Sequence, residues 1–216
     1  MNSGEPILFE DSFNDLTAWA LEGRDTVYTR DNRLVLECLG SRQGGVGTHA
    51  FCRRDFPDEI AVEFTLRLRR SDGLVITFLA LQGTNGEDAL SGVPPRDGLF
   101  RDYVGDEAAV RSYHVSVSRY NDRGEHTGVS NWRRNPGLHL MGQGEDLCKQ
   151  IGTPYAIRIE KRGPACSLFV DGRPGPSFID PMELPGDIPR RGKVGFRAIG
   201  SAVIAEFADF RVVSLG

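Results

Sequence analysis

Asp58–Arg70 reads DEIAVEFTLRLRR. Ile60, Val62, Phe64, Leu66 and Leu68 alternate with Ala61, Glu63, Thr65, Arg67 and Arg69. Successive side chains of a strand point to opposite faces, so this stretch predicts a β-strand with one buried and one wet face. Immediately downstream, Gly73–Leu81 (GLVITFLAL) is continuously apolar, the pattern of a central strand.

The same grammar extends in both directions. RLVLEC (33–38) and HAFCRRDF (49–56) supply strands before it, and SYHVSVSRY (112–120) alternates again. PYAIRIEKRG and PACSLFVDG read as a hairpin turning at Arg162-Gly163-Pro164. GKVGFRAI and AVIAEFADFRVV form a final pair of strands. Twenty-six glycines and twelve prolines punctuate these runs. No long stretch repeats every 3.6 residues, and GDEAAVRSY (105–113) offers one short helical turn. The expectation is an all-β antiparallel sandwich or jelly roll, a single domain over residues 1–216. Residues 82–111 hold no clear strand and read as a long, ordered loop rimming a site.

Composition narrows the function classes. An apolar share of 39% builds a core, and a net charge of −4 without a basic block argues against nucleic acid. The longest apolar run is too short to span a bilayer. The N-terminus, MNSGEPILFEDSF, lacks the basic and apolar regions of a signal peptide, so a cytoplasmic setting is expected. Cys38, Cys52, Cys148 and Cys166 are widely spaced, with no CxxC pair for zinc. They fit reduced thiols in apolar surroundings.

Asn131–Asp146 (NWRRNPGLHLMGQGED) concentrates hydrogen-bonding groups on a turning backbone. Alternation separates Asn131 and Arg133 from Trp132 and Arg134. In PGLHLMGQG it separates Leu138 and Leu140, the expected core face, from His139 and Met141, with Gln143 after the flexible Gly142. A sheet face of Asn131, Arg133, His139 and Gln143 with Trp132 nearby matches a sugar-binding floor. Sugar hydroxyls take forked donors and acceptors, and their C–H faces pack on rings. A solvated edge pair with surface ion pairs is the plainer alternative. In SYHVSVSRY the valine face is the expected core, leaving His114, Ser116 and Ser118 toward solvent or a groove. Tyr113 and Arg119, at the strand ends, could reach a cleft. Glu87 and Asp88 in TNGEDAL suit a hard cation or acid–base work, or else a plain Asn-Gly turn. No E-x-D-x-x-E strand, G-x-S-x-G, HExxH, P-loop or G-x-G-x-x-G is present.

The stretches HAFCRRDFPDEIAVEF, NGEDAL, SYHVSVSRY, NWRRNPGLHLMGQGED and PYAIRIEKRGPACSLFVDG resemble the YesU-like family. The C-terminal FID…GKVGFRAIGSAVIAEFADFRV is similar to 3-keto-disaccharide hydrolase and other concanavalin A-like domains. The resemblance implies a concanavalin A-like jelly roll with a concave sheet that holds saccharide, and a link to bacterial use of plant polysaccharide. It carries the family's polar positions onto His49, Glu87, Asp88, Tyr113, Arg119, Asn131, Arg133, His139 and Gln143.

The expected activity is cleavage of plant-polysaccharide-derived oligosaccharides, by elimination or hydrolysis. His139, Tyr113, Arg119 and His49 are the catalytic candidates. Asn131, Trp132, Arg133, Gln143, Glu87 and Asp88 are the substrate-binding ones. The alternative is a non-catalytic, lectin-like domain. No cofactor and no membrane partner is expected; a structural calcium and a monomer or homodimer both fit.

Overall fold

The computed structural model describes residues 4–40, 45–121 and 123–216. Its strands are Ile7–Asp11 (β1), Trp19–Glu22 (β2), Thr26–Thr29 (β3), Leu34–Leu39 (β4), Thr48–Cys52 (β5), Ile60–Arg70 (β6), Leu74–Gly83 (β7), Val110–Val117 (β8), Val129–Asn135 (β9), His139–Glu145 (β10), Pro154–Arg162 (β11), Ala165–Val170 (β12), Arg173–Ile179 (β13), Lys193–Ile199 (β14) and Ala202–Ser214 (β15). The helix described among these residues is one turn, Arg101–Val104 (α1). It lies a few residues before the turn expected in 105–113.

Two antiparallel sheets face each other. Sheet A runs β13-β12-β11-β6-β15-β4-β3, with β1 also on β15; sheet B runs β10-β9-β8-β7-β14-β5-β2. The all-β sandwich expected from the alternation is what forms. β6 lies in the middle of sheet A, and Ile60, Val62, Phe64, Leu66 and Leu68 all lie in the intersheet core. β11 and β12 pair as the hairpin read from their turn, Arg162 opposite Ala165. The last two strands, however, join different sheets: β14 lies between β7 and β5, and β15 between β6 and β4. Gly200 and Ser201 therefore carry the chain across the sandwich.

Trp19, Phe196 and Phe207 stack between the sheets, Phe196 and Phe207 with centroids 4.0 Å apart, and Phe210 meets Trp19 and Phe196 edge-on. β7 is buried on both sides, as its continuous apolar run required. Val75 and Leu79 face the main core, while Ile76 and Phe78 belong to a second apolar cluster on the outer face of sheet B. Tyr103, Val104 and Ala89 of the 84–109 connection join that cluster. The long loop is packed down on the sheet.

Candidate functional site

Register defines the outer face of sheet B. Glu22, His49, Arg197, Ile76, Ser116, Asn131 and Gln143 are successive cross-strand partners, so their side chains share one face. The adjacent row is Ala20, Phe51, Gly195, Phe78, His114, Arg133 and Leu140. Such a density of polar groups on a sheet face is not core chemistry.

The half of this face over β2, β5 and β14 lies under the loop. Arg96 grips Glu22 with two bonds, 3.0 Å and 2.7 Å, and the Tyr103 hydroxyl donates to Glu22 Oε2 at 2.6 Å. The Tyr103 ring stacks on His49 with centroids 4.1 Å apart. Burial, and after it the Arg197 charge, pushes the His49 pKa well down. Arg197 is fully buried against the Phe100 ring, 4.5 Å from its centroid, and burial pulls its pKa down to about 9. Three glycines permit this closeness. A Cβ on Gly23 would lie 2.2 Å from the Gly47 carbonyl oxygen and one on Gly98 2.5 Å from it, and both residues have positive φ.

The other half, over β8, β9 and β10, is polar. The amides of Asn131 and Gln143 meet at 2.8 Å. Arg119 Nη1 lies 2.9 Å from the Asn131 amide and 3.3 Å from the Val129 carbonyl oxygen. Arg133 Nη1 donates to the Leu138 carbonyl at 2.7 Å. Among the described residues, neither guanidinium forms an ion pair. Instead the two repel: burial, then the charge of Arg133, lowers the Arg119 pKa. His114 sits in the same row as Arg133, 2% exposed, with Nδ1 2.8 Å from the Asn135 amide nitrogen. Burial, followed by Arg133, Arg197 and Arg119, pulls its pKa down to about 3, so the ring is neutral at pH 7. Guanidiniums, amides and a neutral imidazole share one face; Asn131 and His114 are buried, and the partly accessible donors of Arg119, Arg133 and Gln143 suit oxygen ligands, above all a carboxylate.

Asn131, Arg133, Gln143 and Arg119 thus come together as the sequence suggested. Others do not. Trp132 is fully buried between the sheets, its Nε1 donating to the Pro176 carbonyl at 2.8 Å, because alternation from Asn131 and Arg133 turns it inward. Tyr113 is equally buried, and its hydroxyl donates to Asp180 Oδ2 at 2.6 Å. His49 shares the face but lies beneath Tyr103. His139 pairs with Arg134, not Arg133, and therefore stands on the opposite face from Asn131 and Arg133. The expected Leu138/Leu140 core face is also reversed: Leu140 is 53% exposed and Met141 packs on the core. A bulge between Leu140 and Gly142 brings Gln143 back onto the polar face.

Glu87 and Asp88 lie beyond the far end of β7. Glu87 accepts from Asn85, and Asp88 pairs with Lys193 at 2.6 Å and caps Leu90 and Ser91, holding the loop start in place. Among the described residues, no group of three or more His, Cys, Asp or Glu is placed to hold a metal ion. Among the described residues, no helix is long and apolar enough to cross a membrane. The four cysteines are buried. Sequence reading missed Glu22, Arg96 and Arg197. Only the strand alternation around Arg197 and Glu22 carried any signal of them.

The model of a family described as "Domain of unknown function (DUF1961)" matches residues 8–212, and the chain belongs to that family. It is 26% identical over 209 residues to "Uncharacterized protein YesU" of Bacillus subtilis (strain 168), covering 94% of this chain and 93% of that protein. A Bacillus subtilis crystal structure described as a protein of unknown function with a galectin-like fold superposes with a TM-score of 0.86 at 24% identity, covering 97% of this chain and 96% of that one. The carbohydrate-binding module CBM66, also from Bacillus subtilis, gives a TM-score of 0.60 at 11% identity, covering 93% of this chain and 98% of that one.

Proposed function

We propose that this member of the family binds an acidic oligosaccharide on the outer face of β8, β9 and β10. Arg119 and Arg133 hold a sugar carboxylate there, and Asn131 and Gln143 read the neighbouring hydroxyls. The observation that carries this is the pair of neighbouring guanidiniums that form no ion pair among the described residues. Two half-buried cations that repel each other cost stability, and an anionic ligand would offset that cost. A guanidinium can offer a planar anion two parallel N–H donors. Likeness to a carbohydrate-binding module supports the sandwich as a saccharide scaffold, and at that identity it speaks for the fold alone.

Cleavage at the same face is the second reading, and His114 is what favours it. A neutral imidazole beside two arginines is placed to exchange a proton next to a polarised carboxylate. His139 and Tyr113, turned away from the arginines, are weaker candidates for that role. Four buried thiols support a reducing compartment such as the cytoplasm.

The test is calorimetric titration with oligogalacturonides, beside the same oligosaccharides with their carboxyls reduced. Binding of the acidic series that is lost in Arg133→Ala supports the reading. Equal affinity for the carboxyl-reduced series would overturn it. Absorbance from new unsaturated ends in the same mixtures would establish elimination. New reducing ends without absorbance would establish hydrolysis, and neither signal would leave a binding module.

A further inference from the structure

Sheet A has a groove of its own, of about 1040 Å³, on the side of the sandwich facing away from sheet B. Part of its floor is small, where Thr65 and Ala156 are cross-strand partners; the adjacent row, between Phe169 and Glu10, is Arg158, Glu63 and Arg211. One wall is Phe169, half-buried where Leu168 and Val170 on either side are core. The turn at Gly172 extends that wall, and a Cβ there would meet nothing within 4 Å.

The facing wall comes from β15 and β1. The register of β15 slips between Ala208 and Arg211, and Asp209 at φ 54° is thrown onto the outer face. Its Oδ2 accepts from Thr65 Oγ1 at 2.9 Å. Glu10, opposite Arg211, lies beside it. Neither Asp209 nor Glu10 forms an ion pair among the described residues, and both are exposed. The two cations lining the groove are already engaged: Arg158 with Glu5, Glu63 and Glu160, and Arg211 with Glu63.

We infer that this groove is a second saccharide site, and that it takes neutral sugars. The half-buried Phe169 ring gives the C–H face of a pyranose a surface to pack on. Carboxylates accept two hydroxyls at once, and small floor residues leave room for the ring to lie flat. The lining carries five carboxylates against two guanidiniums, so an acidic sugar is repelled here. The charge balance of this lining is opposite to that of the arginine face. This inference does not rest on the function proposed for sheet B.

The experiment is ¹⁵N NMR titration of the whole chain with neutral trisaccharides of glucose, galactose, arabinose and mannose. Shifts at Thr65, Ala156, Phe169, Gly172 and Asp209 with at least one of them are expected. Affinity should fall at least tenfold in Phe169→Ala and in Asp209→Asn, and remain unchanged in Arg133→Ala. Ala156→Arg, at an exposed position, should block the groove if Phe169→Ala fails to fold. No binding at millimolar sugar would overturn the inference. So would shifts confined to Asn131, Arg133 and Gln143, or binding that survives both Asp209→Asn and Ala156→Arg.

Discussion

Arg134 and Asp180 form an ion pair at 3.2 Å, with 3% and none of their side chains exposed, and so join sheet B to the segment after β13. Asp180 also accepts from Tyr113 and from the Met182 backbone, and Arg134 donates to the Pro185 and Gly186 carbonyls. Removing one partner of such a pair strands the other charge in the core. Asp180→Ala should therefore lower stability by about 3–5 kcal/mol, and Tyr113→Phe by about 1–3 kcal/mol, in urea denaturation. Saccharide affinity of folded Tyr113→Phe should equal that of wild type; a loss at unchanged stability would return Tyr113 to the site.

The arginine face makes a different demand. Arg133→Ala should weaken an acidic oligosaccharide by about 2 kcal/mol or more, roughly thirtyfold, by calorimetry. Arg133→Lys keeps the charge but loses the planar fork, so it should recover only part of that. Full recovery by lysine would mean that a point charge suffices.

Over the other half of the sheet, Arg96 and Gly98 set the loop. Gly98→Ala must place a Cβ against the Gly47 carbonyl at a positive φ, and Arg96→Ala leaves Glu22 half-covered without its cation. Either variant should raise amide exchange in residues 84–109 severalfold while leaving β6, β11 and β15 protected. Unchanged loop exchange in both would show that the apolar contacts of Tyr103 and Val104 hold it alone.

Acid should weaken the fold in a defined window. His114 has its pKa lowered from 6.5 to about 3, and His49 shifts in the same direction. Below pH 6.5 the unfolded chain takes up protons that the folded chain refuses, so stability falls as pH drops from 6.5 toward 3. A histidine kept neutral in the fold contributes at most about 1.4 kcal/mol per pH unit to that slope. In denaturation series at pH 7, 6 and 5, His114→Gln should show a shallower slope than wild type. An identical slope would assign the acid sensitivity to other groups.

How much of this was written in the sequence depends on range. β6 and the β11–β12 hairpin were legible because alternation and a Gly-Pro turn are local signals. Asn131 and Arg133 were legible for the same reason. Gln143 reached the right face only because a bulge restored a parity that plain counting gets wrong, and the same bulge misled the reading of His139 and Leu140. Trp132 and Tyr113 resembled sugar-contacting aromatics, yet period two places them inside once Asn131 and Arg133 face out. The cluster of Glu22, Arg96, Tyr103 and Arg197 spans most of the chain. No local pattern announces a contact between residues that meet only when strands from both ends enter one sheet.

The loop anchored by Glu22 covers one end of the outer face of sheet B. Only β8, β9 and β10 remain for a ligand, and at about 4.8 Å per strand their spacing leaves roughly 10 Å from first to last. A saccharide laid across these strands meets the packed loop on the β7 side. Affinity for acidic oligosaccharides lying in that direction should accordingly stop rising after about the second sugar.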